Sequence, residues 1–391
     1  MTGTGDKEVH VVTGGAGFPG FSLGKQLTKK GHLVRLFDIK EPVWELEDGM
    51  EFIKGDIVEG RKLCEVIKGA NAVYHLASYG MSGREQLNKD LIEKINLGGT
   101  EAVLKACLKN DVTRLVYTST YNVVYGGQEI HNGDESCPYL SEDKFTDYYS
   151  KTKMYAEKKV LAANGQLTSN GQILRCCALR LAGVYGPGEQ RHIPRIVSYL
   201  EQGLIKVTYG ADSSLVDFLH VDNLVQAHIL AAEALREHKN YIAAGKAYFI
   251  SDNSPVNNFE FFRPLFEGLG YSYPKVKVPM TIVFYFAWLT EILHAVISPV
   301  YNFQPMLTRT EVYKTGTTHY FSIQRATQEL GYVPTIQNDL TGVVAYYRKL
   351  GRVKGHQQSL FFFYLVNAII IFLIYCVFMA VLPRVSGLAF I

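Results

Sequence analysis

Two side chains suited to proton transfer, Tyr149 and Lys153, lie four residues apart in the segment Tyr149-Ser150-Lys151-Thr152-Lys153. This spacing places both side chains on one face of a helix. A phenol with an ordinary pKa of about 10 is a poor base at neutral pH, but a nearby positive charge favours the phenolate. The pair is therefore predicted to exchange a proton with a substrate oxygen, whereas the ordinary alternative is an exposed helix face.

Hydroxyl groups precede this pair in the chain, at the end of a strand-like segment that closes with Tyr117-Thr118-Ser119-Thr120. A hydroxyl at the end of a strand can hydrogen-bond the oxygen on which a proton-transferring residue acts. Ser119 and Thr120 are therefore candidate partners of Tyr149 at a catalytic site.

A glycine-rich turn near the N-terminus predicts a nucleotide site. Gly14, Gly17 and Gly20 have the spacing GxxGxxG between a strand-like segment and a helix. Such a turn brings backbone close to a pyrophosphate, which then faces the helix N-terminus. An acid, Asp38, follows about twenty positions downstream at the end of the next strand, where a carboxylate bonds the ribose hydroxyls.

The same residues favour NAD over NADP, because a carboxylate at Asp38 would repel a 2′-phosphate. Phe18, within the turn, belongs to the predicted cofactor site. Asp56, in Lys54-Gly55-Asp56-Ile57, could reach the adenine, and a solvated turn acid is an equally good interpretation of its spacing.

Strand-like and helix-like segments alternate along the first half of the chain and must position these residues. They are Val9–Thr13, Phe21–Lys30, Leu33–Phe37, Glu51–Ile53, Ala72–Leu76, Leu91–Lys109, Arg114–Ser119, Tyr148–Ala162 and Ala178–Tyr185. This alternation predicts an α/β fold, a Rossmann-type doubly wound parallel sheet. After Pro187 the pattern becomes mixed, with a strand-like Ala247–Ile250.

Five regions are expected along the chain. Residues 1–190 form the NAD-binding Rossmann domain, and 191–347 form a smaller substrate domain that is partly interleaved with it. A basic linker over 348–359, a transmembrane helix over 360–382 and a short tail over 383–391 follow.

Composition excludes several classes of protein. The 391 residues are 47% apolar and 20% charged, and a net charge of +3 is scattered along the chain, so nucleic-acid binding is not expected. Six cysteines at irregular spacings predict neither structural zinc nor any other metal site. The polar residues 1–8 lack the apolar region of a signal peptide, so the bulk of the chain is expected in the cytosol.

The predicted membrane segment, residues 360–382, is an uncharged run of about 23 residues. As a helix it would measure about 34 Å, against a hydrocarbon core of about 30 Å. The alternative is a buried core helix. Basic residues cluster upstream of it, which predicts a cytosolic catalytic body on a single-pass anchor, in the endoplasmic reticulum. A second apolar stretch, Met280–Thr290, is too short to span and is expected to pack in the protein or lie in the interface.

Several motifs together resemble the extended short-chain dehydrogenases/reductases, from about Glu8 to about Tyr347. They are TGGAGFPG, Asp38, NLGGT (96–100), YTST (117–120), YSKTK (149–153) and YGPG (185–188). More narrowly the chain resembles the 3β-hydroxysteroid dehydrogenase/isomerase family, and within it short-chain dehydrogenase/reductase family 42E. The segments that carry this are ASYGMSGREQLN, YGPGEQRHIPRIVSY, LHVDNLVQAHIL, NNFEFFRPL and NFQPMLTRTEVYKTG.

The resemblance implies a role for each matching residue. Tyr149 would be the proton donor and acceptor, and Lys153 would lower its pKa and hold the nicotinamide ribose. The catalytic hydroxyl falls on Thr120, with Ser119 as the alternative. Most relatives carry Ser at the position of Thr120. Thr120 keeps the hydroxyl of that Ser but adds a methyl group. The acid/base that isomerisation needs maps onto no motif, so isomerisation is not predicted.

The implied reaction is NAD-dependent interconversion of a hydroxyl and a ketone on a small apolar substrate, a 3β-hydroxysteroid or sterol, within steroid biosynthesis. Membrane lipid is the second expected partner, and the question of a homodimer is left open. Rival reactions are nucleotide-sugar epimerisation and oxidative decarboxylation of a sterol carboxylate, of which the bilayer anchor disfavours the first. A non-catalytic NAD-binding module is the rival from another class, and it would not need Tyr149, Lys153 and Thr120.

Overall fold

The computed structural model describes residues 7–81, 83–297 and 307–355. The strands are Val9–Thr13 (β1), Leu33–Asp38 (β2), Met50–Lys54 (β3), Ala72–His75 (β4), Arg114–Thr120 (β5), Ile130–Gly133 (β6), Arg175–Leu181 (β7), Gly183–Tyr185 (β8), Val207–Tyr209 (β9), Phe218–His220 (β10), Ala247–Ile250 (β11), Val276–Val278 (β12) and His319–Phe321 (β13).

The α-helices are Phe18–Lys29 (α1), Gly60–Ile67 (α2), Lys89–Glu93 (α3), Gly99–Lys109 (α4), Tyr148–Ala163 (α5), His192–Glu201 (α6), Val221–Ala234 (α7), Asn258–Gly268 (α8), Met280–Ile297 (α9), Arg309–Gly316 (α10), Gln324–Leu330 (α11) and Thr341–Lys349 (α12).

The central element is a seven-stranded parallel sheet in the order β11-β7-β5-β4-β1-β2-β3. The chain leaves β1 towards β2 and β3, then returns to the other side of β1 and continues outward from β4. The carboxyl ends of β1 and β4 therefore meet where the direction of winding reverses, which is the usual ligand position in such sheets. The predicted α/β fold with a doubly wound parallel sheet is confirmed.

Helices cover both faces of this sheet, so its strands are buried on both sides. One core packs α1 and α7 against the sheet, through side chains such as Leu23, Leu27 and Leu224. The other packs α2, α4 and α5 against the opposite face, through Leu63, Val103 and Val160 among others.

The outermost strand, β11, comes from a part of the chain beyond the predicted 1–190 boundary. All four of its residues are buried, and it pairs in parallel with β7. The strand-like run Ala247–Ile250 of the sequence therefore completes the main sheet. Smaller parallel pairs, β8 with β10, β9 with β12 and β6 with β13, lie outside that sheet.

The helix predicted over Leu91–Lys109 is interrupted. A π-helical turn, Lys94–Gly98, separates α3 from α4. Close packing occurs just beyond it, because a Cβ on Gly99 would lie 2.3 Å from Ile57 Cδ1. An extra residue in a helical turn often marks a functional site, and the turn carries Asn96, described below.

The apolar stretch Met280–Thr290 is the first part of α9. Within residues 7–81, 83–297 and 307–355, no helix combines the length and apolarity needed to cross a membrane. The membrane helix predicted over 360–382, the end of the linker from 356 and the tail over 383–391 lie outside the described residues.

Candidate active site

The glycine turn lies between β1 and α1, against the carboxyl end of β4. Gly14 has a φ of 71°, and a Cβ there would lie 2.7 Å from the backbone nitrogen of Ala77. A Cβ on Gly20 would lie 2.2 Å from the Gly14 carbonyl oxygen. Gly17 caps α1 without a side chain, so no side-chain acceptor occupies the first N–H groups of the helix. The turn therefore fits a pyrophosphate at a helix N-terminus.

Asp38 ends β2 beside this turn. One carboxylate oxygen accepts a hydrogen bond from the backbone N–H of Ala16 at 3.1 Å, and the other accepts one from Ile39 at 2.7 Å. The carboxylate thus lies next to the predicted pyrophosphate position. The Phe18 side chain is buried, with its ring 6.4 Å from that of Trp44, so only the Phe18 backbone is placed to face a ligand in the turn.

Asp56 follows β3, one residue after Gly55, whose N–H donates to the Asp38 carbonyl at 2.8 Å. Its carboxylate accepts a hydrogen bond from the Val58 N–H at 3.2 Å and is half-buried. The residue is therefore close to the adenosine side of the predicted site, and it also serves as a turn acid. Its role in adenine binding stays a prediction.

Tyr149 and Lys153 lie on the inner face of α5. Asp147 caps this helix and accepts a hydrogen bond from the Ser150 N–H at 2.7 Å. The two side chains are only 5% and 2% exposed. An exposed helix face is therefore the wrong interpretation of their spacing.

Burial controls the ionisation of both groups. It raises the pKa of the Tyr149 phenol to about 12, although the positive charge of Arg191 and a side-chain hydrogen bond with Ser78 act in the other direction. Burial lowers the pKa of Lys153 to about 7, against the negative charge of Glu157. Tyr149 is thus protonated at neutral pH and can donate a proton.

The Lys153 amino group is oriented by β5. Its Nζ donates to the Thr118 carbonyl oxygen at 2.5 Å and lies 4.1 Å from the centre of the Tyr117 ring. The Thr118 hydroxyl in turn contacts His228 Nε2 at 2.7 Å. Lys153 is therefore held by the strand that also carries the two candidate hydroxyls.

Those two hydroxyls have different surroundings. Thr120 Oγ1 accepts from the backbone and side-chain nitrogens of Asn122, at 3.2 and 2.8 Å, and keeps its own hydrogen to donate. The Ser119 hydroxyl donates to the buried carboxylate of Glu157. The hydroxyl that the structure brings to Tyr149 is that of Ser78, just after β4.

A buried ion pair, not foreseen from the sequence, underlies this arrangement. The Glu157 carboxylate accepts hydrogen bonds from the Tyr139 hydroxyl at 2.8 Å and from Arg180 at 3.0 and 2.7 Å, in addition to that from Ser119. Glu157 lies one helical turn beyond Lys153, while Arg180 belongs to β7. Glu157 therefore ties α5 to β5 through Ser119 and to β7 through Arg180. The available signal was an arginine inside an otherwise apolar strand.

Asn96, in the π-helical turn, fixes the loop after β4. Its side-chain oxygen accepts from the Tyr79 N–H at 2.8 Å, and its nitrogen donates to the Tyr79 carbonyl at 3.0 Å. The same nitrogen donates to Thr152 Oγ1 at 3.1 Å. Asn96 thus holds the segment that contains Ser78 against α5, beside Lys153.

Among the described residues, Glu8, His10 and His32 bring metal-ligand atoms within 4.8 Å of one another. Arg114 and Arg236 pair with the Glu8 carboxylate at 2.7 and 2.5 Å. Two guanidinium charges at the carboxylate oppose a cation, and the cluster lies at the amino end of β1, away from the glycine turn. The absence of a metal site stays a prediction.

Comparison with known proteins gives a consistent pattern. A model of the 3-beta hydroxysteroid dehydrogenase/isomerase family matches residues 11–280. The chain is 54% identical to short-chain dehydrogenase/reductase family 42E member 1 of Macaca fascicularis, over 94% of this chain and 96% of the relative. It is 35% identical to the human decarboxylating sterol-4-alpha-carboxylate 3-dehydrogenase, over 88% of this chain and 89% of the relative.

Among solved structures, UDP-glucose 4-epimerase of Thermus thermophilus in complex with NAD superposes with a TM-score of 0.65 at 20% identity. The match covers 87% of this chain and 99% of the other. At this identity the likeness concerns the fold alone.

Proposed function

Because the chain belongs to the 3-beta hydroxysteroid dehydrogenase/isomerase family, we propose that it is an NAD-dependent oxidoreductase that interconverts a hydroxyl and a ketone on a steroid or sterol. The observation that carries the proposal is the burial of Tyr149 and Lys153 on one face of α5, with Lys153 bonded to β5 at Thr118. A protein that only binds a dinucleotide has no use for the hydroxyl of a buried Tyr149.

The glycine turn and Asp38 are the residues that would hold NAD, the turn at the pyrophosphate and the carboxylate at the adenosine ribose. NAD would exchange a hydride with the carbon that bears the substrate oxygen. The chain's own part is proton transfer at that oxygen by the Tyr149 hydroxyl, with Ser78 or Thr120 to hold the oxygen in place.

Replacing Asp38 with Ala is expected to raise the Kd for NAD about tenfold and to narrow the preference over NADP, because a ribose hydrogen bond and a repulsion are both lost. Titration of both dinucleotides against wild type, Asp38→Ala and Asp38→Asn measures this. The Asn variant removes the charge but keeps an acceptor for the Ala16 N–H. It therefore separates the effect of losing the repulsion of a 2′-phosphate from the effect of losing the hydrogen bond to the glycine turn. A wild-type protein that already prefers NADP would refute the assignment.

The substrate is proposed to be a large apolar alcohol or ketone. Support comes from the family, and burial of a few hundred Å² of apolar surface would contribute several kcal/mol at roughly 25 cal/mol per Å². The test is incubation of the purified full-length protein with NAD and a panel of steroids, sterols, prenols and nucleotide sugars, with NADH as readout. Turnover of a nucleotide sugar alone would exclude an apolar substrate.

Oxidative decarboxylation of a sterol carboxylate is the second candidate. The 35% identical relative carries that activity in its name, and the Arg191 charge acts on Tyr149, so a carboxylate beside the reacting hydroxyl would meet a cation. Arg191 contacts Glu85 only loosely, at 3.7 Å. Adding a sterol 4-carboxylate to the panel, with Arg191→Leu as the matched variant, separates the two reactions, since the loss of Arg191 should lower turnover of the carboxylate more than turnover of an uncharged sterol, on which Arg191 acts only through Tyr149.

We further propose a cytosolic catalytic body on a C-terminal single-pass anchor over 360–382, in the endoplasmic reticulum. A chain that ends at Gly355 is expected to be released by alkaline carbonate and to keep its NAD affinity, because the glycine turn and Asp38 precede the anchor. Fractionation of intact and shortened chains, with NAD titration of both, measures this. Release of the intact chain by carbonate would show that residues 360–382 do not span a bilayer.

A further inference from the structure

The amino group of Lys153 is buried where a positive charge is costly. The residue is 2% exposed, and burial lowers the pKa of the amino group to about 7, against the charge of Glu157. The Glu157 carboxylate already accepts two hydrogen bonds from the Arg180 guanidinium, at 3.0 and 2.7 Å. A carboxylate that pairs with a guanidinium attracts a second cation less strongly, because the guanidinium repels that cation. The charged form of Lys153 therefore depends on its other neighbours.

The aromatic ring of Tyr117 is one of these neighbours. The Lys153 Nζ atom lies 4.1 Å from the centre of the ring. Tyr117 is 1% exposed, and the His75 ring packs beside it with the two ring centres 5.5 Å apart. The face of an aromatic ring attracts a cation within about 6 Å of its centre, and the attraction is larger where water is excluded. The ring thus favours the charged form of Lys153 over the neutral form.

We propose that Tyr117 is a positioning residue of the candidate active site, and that its ring keeps the Lys153 amino group protonated and in place at β5. The backbone of the strand contributes to the same end, because the carbonyl that accepts from Nζ belongs to Thr118, the next residue. Successive side chains of a strand point to opposite faces of the sheet. Tyr117 therefore meets α5, while the Thr118 side chain points towards α7.

His228 of α7 anchors Thr118 on that opposite face. The Nδ1 atom of His228 lies 2.8 Å from the Leu224 carbonyl oxygen, which can only accept, so Nδ1 carries the ring hydrogen. Nε2 is then the acceptor, and the Thr118 hydroxyl donates to it at 2.7 Å. Burial lowers the pKa of His228 to about 4, so the ring stays neutral at neutral pH. The carbonyl that holds Lys153 is thereby fixed from the far side of the sheet.

Two further titratable groups near Lys153, His75 and Tyr149, are neutral at neutral pH. His75 ends β4, and burial, together with the Lys153 charge, lowers the pKa of its ring to about 3. The protonated phenol of Tyr149 is described above. The charge on Lys153 is thus set by burial, which opposes it, and by Tyr117 and Glu157, which favour it. Its use is to lower the pKa of Tyr149 during proton transfer, and this one point rests on the proposed function.

Unfolding of the full-length protein in detergent tests the proposal without a substrate. In the folded protein Lys153 is charged below a pH of about 7 and neutral above it. Tyr117→Leu removes the ring, so the attraction is lost only where Lys153 is charged. The variant's loss of stability, as a ratio of folding equilibrium constants, is therefore expected to be about tenfold larger at about pH 5 than at about pH 9. Denaturant unfolding of both proteins at the two pH values measures this.

Two comparisons isolate the ring and the charge. Tyr117→Phe keeps the ring and removes only the hydroxyl, so its loss of stability should agree at the two pH values within about twofold. In a Lys153→Met background the pH dependence of Tyr117→Leu should disappear, because no charge remains to be attracted. An equal loss for Tyr117→Leu at both pH values would overturn the proposal and leave Tyr117 as an ordinary core residue.

A ring-fluorinated phenylalanine at position 117 gives the same test if Tyr117→Leu does not fold. It keeps the shape of the side chain and weakens the negative charge of the ring face, so it should lose stability relative to Tyr117→Phe at the lower pH only. Equal stability of the two at both pH values would overturn the proposal.

Failure of the proposed function has a different signature. If no substrate is turned over, a pH-dependent loss in Tyr117→Leu still supports the role of the ring in charging Lys153. If a substrate is found, Tyr117→Leu should lower kcat/KM for oxidation of the alcohol at neutral pH about tenfold, and Tyr117→Phe should restore it. A Tyr117→Leu variant with the kcat/KM of wild type would overturn the proposal.

Discussion

Replacing Tyr149 with Phe is expected to lower kcat by about 10²- to 10⁴-fold, the range that a positioned acid or base contributes. The change removes a single hydroxyl from a side chain that is 5% exposed. Because the ring still fills its place, the glycine turn and Asp38 are undisturbed and the Kd for NAD should change less than about twofold. Steady-state kinetics on the substrate found by the panel, with NAD titration of the same preparation, measures both quantities.

The neighbouring Tyr148 provides a matched control. Its hydroxyl donates to Glu93 at 2.5 Å near the surface of the same helix, so Tyr148→Phe removes the same group one residue away. Its kcat should stay within about twofold of wild type, since the hydroxyl lies outside the buried face. If Tyr149→Phe also retained activity within a few-fold, Tyr149 would have no part in proton transfer.

Replacing Arg180 with Met is expected to lower the free energy of unfolding by about 3–5 kcal/mol, because it leaves the carboxylate of Glu157 buried without its cation. Both side chains are almost fully buried, and two hydrogen bonds join them. Denaturant unfolding in detergent, monitored by fluorescence and circular dichroism, measures the loss. The half-buried Arg175, which stacks on Tyr241, is the matched control, and Arg175→Met should cost about 1 kcal/mol or less.

The double variant Arg180→Met with Glu157→Leu shows which of two causes lowers the free energy of unfolding of Arg180→Met: the lost attraction between the two charges, or the burial of an unpaired Glu157 carboxylate. Removing both charges should recover much of the stability, since apolar replacements of buried pairs are often neutral. The double variant should nevertheless be impaired in turnover, because Glu157 also binds Ser119 and lies one turn from Lys153. A single variant that unfolds with wild-type stability would show that the pair contributes little.

The parts of the fold and site that follow from short-range patterns could be predicted. Strand β1, the glycine turn, α1 and Asp38 lie within thirty residues of one another, and each is marked by residue type and spacing. Tyr149 and Lys153 share a helix face for the same reason.

What could not be predicted depends on contacts between distant segments. Ser78 meets Tyr149 only because parallel strands bring the loop after β4 beside α5, and Asn96 reaches that loop through a π-helical turn that no residue pattern marks. The Glu157–Arg180 pair joins a helix to a strand for which the sequence offers only a charge among apolar residues. The four buried residues of β11 complete the sheet, although their position in the sequence falls within the predicted substrate domain.

The late position of β11 in the chain affects how the protein is made. β7 ends at Leu181, but its outer neighbour is complete only at Ile250. At ribosomal rates of about 5–20 residues per second, the intervening chain takes about 3–14 s to emerge. A sheet that assembled during synthesis would therefore have six strands, with the backbone groups along the outer edge of β7 unpaired, until β11 had emerged. Unpaired strand edges are sites at which nascent chains can associate.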